Sequence, residues 1–215
     1  MAADLASLRI DYASGVLDES TAPSDPLRLF ASWMEQALQS GLREPSAMAL
    51  ATVNPDGSPD CRMVLLKGFD QEGFIFYSNY LSAKGRQLEA RPQAALVLYW
   101  AELERQIRIR GPVTKLSSYQ SDTYYHSRPW KSRLAAAVSP QSQPIPSRAW
   151  LESQFASLEA AHSPDALPRP PHWGGYRVQP REIEFWQGRR SRLHDRLLYA
   201  RPHPGAPWSL SRLAP

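Results

Sequence analysis

The chain has 215 residues, enough for one domain with a substantial core; 42% are hydrophobic, 21% are charged, and no apolar run is long enough to span a bilayer. The net charge is +4 and the isoelectric point near 9.3, with basic residues scattered rather than blocked, which favours discrete anion pockets over a nucleic-acid track and leaves no membrane or nucleic-acid partner expected. One cysteine, Cys61, excludes an internal disulfide and a cysteine-based zinc site, and the N-terminus lacks a secretion signal, so a reducing cytoplasm is the expected location.

Residues 1–23 show no strong periodicity and are expected to form a mobile N-terminal arm ahead of one domain over 24–215. Ser24-Asp25-Pro26 is a helix start, and Leu27, Phe30, Ala31, Met34, Ala37 and Leu38 follow at helical spacing as an inward face that ends at Gly41. Strand patterns come next: 47–53, a turn at Asn54-Pro55-Asp56-Gly57, then 58–67 and 73–79. A short helix over 82–90 is stopped by Arg91-Pro92, and 93–100 with 104–116 reads as an antiparallel pair. Residues 117–162 are helical in character but broken by prolines, the clearest helix starting at Ser147 with Leu151, Phe155 and Leu158 on one face. Strands return at 176–178, 182–187, 192–201 and 208–212. This order predicts an α+β fold, a closed or nearly closed antiparallel barrel with helices inserted as a block.

Several groups of residues carry chemistry. In a strand over 192–201, Arg192, His194 and Arg196 share one face, as an anion site or as an ordinary solvated face. Arg62 and Lys67 lie an odd number of positions apart and face opposite sides unless a bulge intervenes; they serve two anion sites or simply snorkel at the strand ends. Tyr77-Ser78 at a strand end, with Ser82 and Lys84 at a helix start, suits a phosphate, although a serine cap needs no ligand. Tyr124, Arg128 and Ser132 are spaced four apart, with Pro129 bending the path, and supply phosphate donors or a plain cation–π pair. No dinucleotide loop, phosphate loop or nucleophile elbow occurs, and the five histidines lack metal-ligand spacing.

Taken in order, Arg62 to Lys67, Leu103-Glu104-Arg105-Gln106, Tyr125-His126-Ser127-Arg128-Pro129, Ser139-Pro140-Gln141-Ser142, Phe185-Trp186-Gln187-Gly188 and Arg192-Leu193-His194-Asp195-Arg196 resemble the motifs of the pyridoxine/pyridoxamine 5′-phosphate oxidase family, over nearly the whole chain. The resemblance implies a split β-barrel homodimer with FMN at the subunit interface. It implies that pyridoxine 5′-phosphate or pyridoxamine 5′-phosphate is oxidised to pyridoxal 5′-phosphate, with O2 as the final acceptor. By motif position, FMN falls to Arg62, Met63, Val64, Leu65, Leu66, Lys67, Tyr77, Ser78, Lys84, Gln106, Gln141, Ser142, Trp186 and Arg196. The substrate phosphate falls to Lys67, Tyr124, Arg128 and Ser132, the reacting ring to the catalytic pair Arg192 and His194, and a lid to Arg9, Asp11 and Tyr12. Ala83 stands where the family commonly has an arginine, Ile10 where a basic residue is frequent, and Ala135 and Ala137 where glycine and tryptophan are usual. Competing implications are a phenazine-type split-barrel flavin oxidase and a non-catalytic FMN or pyridoxal-phosphate binder.

Overall fold

The computed structural model describes residues 4, 8 and 11–215; Arg9 and Ile10 of the expected arm lie outside the described residues. Helix α1 spans Pro26–Gln39, started by the Asp25 carboxylate accepting from the Leu27 amide at 2.9 Å. It buries Leu27, Phe30, Trp33, Met34 and Ala37, whereas Ala31 and Leu38, expected on the inward face, are exposed. Trp33 turns the helix: its ring meets Phe185 edge-on at 5.2 Å and takes the Arg105 guanidinium over its face at 4.5 Å.

Ten strands follow, all paired antiparallel: β1 Ala47–Val53, β2 Pro59–Leu65, β3 Gly68–Asp70, β4 Gly73–Asn79, β5 Gln93–Trp100, β6 Arg105–Lys115, β7 Trp173–Val178, β8 Glu182–Gln187, β9 Asp195–Ala200 and β10 Ser209–Arg212. Their order is β10-β9-β8-β6-β5-β1-β2, while β3, β4 and β7 branch away through β6. Burial alternates along β1 and β5, so one face of the curled sheet packs Met48, Leu50, Leu96 and Leu98 into the core with Phe74, Phe76, Ile107, Ile109 and Phe185. This is the split barrel anticipated above. Helix α2, Ala83–Ala90, crosses after β4. Helices α3 Ser118–Ser127, α4 Trp130–Val138 and α5 Arg148–Ala161 fill the insertion, with a Ser117–Gln120 capping box opening α3 and Pro129 marking the break before α4.

Two strand expectations need correction. The strand expected over 58–67 ends at Leu65, because the Lys67 amide donates to Ile75 O at 2.8 Å and the chain changes partner from β1 to β4. Arg62 and Lys67 consequently do not serve opposite sides: both border one cavity. The strand expected over 192–201 begins only at Asp195. Residues 190–192 form a short 3-10 turn in which Ser191 (φ 56°) and Arg192 (φ 60°) are left-handed, so Arg192 and His194 precede the strand and do not share a strand face with Arg196.

Strand β6 is the branch point. Residues 105–110 pair with β8, and Val113 to Lys115 pair with β7. Between them Gly111 lies under the crossing backbone: an added Cβ would sit 1.9 Å from Gln179 O. Gly111→Ala should cost about 1–3 kcal/mol in urea unfolding with an unchanged denaturant slope, since overpacking against backbone cannot be relieved by a rotamer change. An unaltered unfolding midpoint would contradict this packing.

Candidate functional site

A cavity of about 580 Å³ opens where β2, β4, α3, α4 and α5 meet. Arg62, Met63, Val64, Leu65, Lys67, Tyr77, Ser78, Lys84, Tyr124, Arg128 and Gln141 all border it. Leu66 does not; it is 7% exposed and packs in the core. Ser132 and Ser142 are also absent from its wall. Ser142 instead sits on an exposed loop with φ 69°. Ala135 lines the wall, whereas Ala83 and Ala137 are half-buried outside it.

The cavity has two cationic poles. At one, Ser82 caps α2 and Lys84 follows in its first turn, 9% exposed, donating to Gln141 Oε1 at 3.1 Å and Ser82 Oγ at 3.4 Å. Gln141 Oε1 also accepts from Ser78 Oγ at 3.4 Å. Among the described residues no carboxylate touches the Lys84 ammonium, and burial pushes its pKa down, helped by the nearby Arg62 charge. Gly85 lets the first turn of α2 lie against the backbone of Tyr80, where a Cβ would come 2.1 Å from Tyr80 O. Beside it, Arg62 donates to Thr52 Oγ1 at 2.5 Å, Gln87 Oε1 at 3.0 Å and Leu50 O at 3.2 Å, and pairs with Asp60 at 2.5 Å. Gln87 holds the Asp60 carboxylate in turn at 2.8 Å, and that hydrogen bond, followed by Arg62, keeps the Asp60 carboxyl below its ordinary range.

At the other pole Arg128 lies 4.6 Å over the Trp173 ring, with Tyr77 and Tyr124 stacked at 3.8 Å and Tyr77 stacked on Trp173 at 5.5 Å. The buried Arg128 Nη1 has no hydrogen-bond partner, and burial lowers the guanidinium pKa while raising those of Tyr77 and Tyr124. A buried donor left free costs about 1–3 kcal/mol, so this end of the cavity is built to receive an acceptor. Two separated cations without firm carboxylate partners, flanked by aromatic faces, match a ligand set with two anionic groups and a planar ring.

The remaining expected residues lie elsewhere. Trp186 on β8 faces Gln106 on β6 and Arg196 on β9 in register. Four strand steps separate β8 from β2, about 19 Å along the sheet at the usual spacing. A second cavity, about 860 Å³, is bordered by Asp11, Tyr12, Trp186, Arg192 and His194 and shares no lining residue with the first. Tyr12 meets Trp186 at 5.7 Å and His194 at 5.6 Å, and His194 lies 4.7 Å from Trp186. The Arg189 amide donates to His194 Nδ1 at 3.1 Å, so the neutral imidazole carries its proton on Nε2. Arg196 pairs with Glu184 at 2.9 Å and donates to Ala214 O at 2.8 Å.

Sequence reasoning missed Trp173, Thr52, Gln87 and Asp60. The available signal for Trp173 was the Gly174-Gly175 pair behind it: a Cβ on Gly174 would lie 2.0 Å from the Tyr80 hydroxyl. Nothing in the spacing marks the Arg62 network, which joins β1, β2 and α2 through contacts 10–27 residues apart.

Lys84 tests the electrostatics. Its folded pKa lies below 10.5, so its charged form costs stability at neutral pH, and the cost fades as pH rises from the lowered value towards 10.5. Lys84→Met should leave the ligand-free protein at least as stable near neutrality and abolish that rise, while weakening phosphate binding, as read by urea unfolding with and without inorganic phosphate. A marked loss of ligand-free stability would contradict the assignment.

Among the described residues no helix is long and apolar enough to cross a membrane. A family profile described as pyridoxamine 5′-phosphate oxidase matches residues 34–162, and one described as the pyridoxine 5′-phosphate oxidase C-terminal dimerisation region matches residues 173–215. A pyridoxine/pyridoxamine 5′-phosphate oxidase of Rubrobacter xylanophilus is 54% identical over 212 residues, covering 99% of this chain and 97% of its own. That of Herminiimonas arsenicoxydans is 51% identical over 211 residues, covering 98% and 99%. Among solved structures, PhzG from Burkholderia lata 383 in complex with tetrahydrophenazine-1-carboxylic acid is similar with a TM-score of 0.87 at 36% identity, over 93% of this chain and 98% of that one. A pyridoxamine 5′-phosphate oxidase-related, FMN-binding protein from Nostoc punctiforme, at 22% identity and a TM-score of 0.72 over 89% and 98% of the two chains, shares the fold. The chain belongs to the pyridoxamine 5′-phosphate oxidase family.

Proposed function

We propose that the protein is an FMN-dependent oxidase that converts pyridoxine 5′-phosphate or pyridoxamine 5′-phosphate to pyridoxal 5′-phosphate, acting as a homodimer. The observation that carries this reading is the buried, partner-free Nη1 of Arg128 at one pole of a cavity whose other pole holds a buried Lys84. Two such poles suit the phosphates of a cofactor and of a substrate. The dimerisation profile over 173–215 supports the second half of the proposal, because Trp186, Arg192, His194 and Arg196 fall within it and stand apart from the cavity that needs them. In this reading each active site joins the cavity of one subunit to the Trp186–His194 cluster of the other.

FMN fits the residues present. Lys84, Arg62, Ser78 and Gln141 would hold its phosphate, and residues 62–65 its ring, with Gln106, Trp186 and Arg196 supplied by the second subunit. When bound, FMN accepts two electrons from the substrate and passes them to O2. In overall balance, the 4′ alcohol and O2 give the aldehyde and H2O2; the 4′ amine, O2 and water give the aldehyde, ammonia and H2O2.

The chain's own contribution is placement and charge. Lys67, Tyr124 and Arg128 anchor the substrate phosphate, where the Trp173 face keeps the guanidinium desolvated and its hydrogen bond strong. Arg192, with no carboxylate contact among the described residues and held left-handed, offers a guanidinium to charge developing on the pyridine ring. His194, its Nδ1 occupied by the Arg189 amide, presents Nε2–H as a donor to the 4′ substituent. Tyr12, with Asp11 beside it, lies against Trp186 and His194, where it would cover a bound ring.

PhzG's likeness favours a second reading, oxidation of a tricyclic carboxylate, since Arg128 would accept a carboxylate as readily as a phosphate. The test is oxygen uptake by the FMN-loaded protein with pyridoxine 5′-phosphate, pyridoxamine 5′-phosphate and tetrahydrophenazine-1-carboxylic acid. Turnover of the vitamers is expected; turnover of the tricyclic acid alone would replace the first reading with the second. Arg128→Ala should raise the KM for the phosphorylated substrate by roughly 10–100-fold, the equivalent of about 1.5–3 kcal/mol for a lost charged hydrogen bond. Arg192→Ala should instead lower kcat by roughly 100-fold while FMN affinity changes little. Small and equal effects of both would refute the assigned roles.

A further inference from the structure

Asp195 opens β9 immediately after His194, and its side chain is only 14% exposed. Three separate stretches of chain converge on this one carboxylate. Oδ2 accepts from the Leu17 amide at 3.0 Å and from Arg189 Nη1 at 3.0 Å. Oδ1 accepts from Arg212 Nη1 at 2.8 Å, and Arg212 Nη2 donates to Leu17 O at 3.1 Å while Glu19 takes the rest of the guanidinium. The N-terminal segment, the turn before β9 and the last strand are thus tied at a single point.

Two of these ties lead on to the same imidazole. The side chain of Arg189 is drawn to Asp195, and the backbone amide of that same residue supplies the hydrogen bond to His194 Nδ1. Leu17 is 5% exposed, and the segment it anchors carries Tyr12 back against His194 and Trp186. We propose that Asp195 is a positioning residue for His194: its carboxylate fixes Arg189 on one side and the Tyr12-bearing segment on the other, holding the ring in one orientation and one tautomer. A charged carboxylate is required. An amide at this position keeps an acceptor for Leu17 and Arg189 but turns a donor towards the Arg212 guanidinium.

The kinetic consequence rests on the oxidase reading; the positional one does not. The test is Asp195→Asn in the full-length, FMN-loaded protein, with nitrogen-15 histidine spectra reporting the His194 tautomer and hydrogen exchange reporting the Leu17 amide. Wild type should show a single Nε2–H form and a protected Leu17 amide. The variant should show mixed tautomers and faster Leu17 exchange, with kcat for pyridoxine 5′-phosphate down by about 10–100-fold, as for a misplaced catalytic group. FMN affinity, read by fluorescence quenching, should stay within about twofold, because Lys84 and Arg62 are untouched and Arg196 keeps its pairing with Glu184. A variant that keeps the wild-type tautomer and kcat overturns the proposal, even if it melts earlier. Should Asp195→Asn fail to fold, Arg189→Met cuts only the tie to the turn and must show the same mixed tautomers; a wild-type tautomer there overturns the proposal equally. Wild-type protein with a fixed tautomer and no turnover would sink the oxidase reading and leave the clamp standing.

Discussion

The backbone of residues 179–181 passes directly over Gly111, with the Gln179 amide donating to Pro112 O at 2.8 Å and the Arg181 amide to Arg110 O at 2.8 Å. That crossing divides β6 into a half bonded to β8 and an end bonded to β7. The proposed function rests on this division. The β7 branch carries Trp173 and, through β4, Tyr77 and Ser78; the β8 branch carries Trp186 and, through β9, Arg196. The strands between β8 and β2 are each paired on both sides, which holds these two groups of residues apart within one chain. In the proposed function, the site that uses both is closed across a subunit boundary.

Within each half, the protein retains arrangements that cost stability. Lys84 and Arg128 are desolvated without a carboxylate partner, and Arg128 leaves a buried N–H unpaired. Left-handed backbone at Ser142, Ser191 and Arg192 adds roughly 1 kcal/mol or more each. Such costs persist only where the surroundings over-determine them. At Arg192 the surroundings are the short turn pinned by Arg189 and Asp195; at Arg128 they are the flat face of Trp173 and the Tyr77–Tyr124 stack. In the proposed function, an anion arriving at Lys84 or Arg128 recovers what folding left unmatched, so affinity is stored in the protein as unmet electrostatics.

Much of the architecture was legible in the sequence. Strand patterns marked β1, β2, β5 and β6, and Asp25, Ser82 and Ser147 cap helices where the sequence places helix starts. Reading failed where tertiary contacts override a local pattern. Arg192, His194 and Arg196 alternate as strand residues do, yet the Asp195 carboxylate draws Arg189 across and the backbone turns left-handed ahead of the strand. Arg62 and Lys67 face one cavity because the chain switches partners between them, an event no periodicity encodes. The inward face of α1 rotated towards Trp33 because Phe185 and Arg105, far along the chain, give that ring its packing. The motif resemblance named most of the residues around the first cavity and implied FMN at a subunit interface, but did not say which residues of the set lie on which face of the chain.

The division itself is open to direct measurement by mixing two disabled variants. Arg128→Ala and Arg192→Ala, denatured together and refolded, or co-expressed, form hybrid dimers in which one site carries both defects and the other carries neither. If each site joins the cavity of one subunit to the Trp186–His194 cluster of its partner, statistical mixing should restore about a quarter of the wild-type sites, seen as oxygen uptake at substrate levels where neither variant turns over. Activity no greater than the sum of the two separate variants would mean that one chain supplies both groups, and the divided-site account would be wrong.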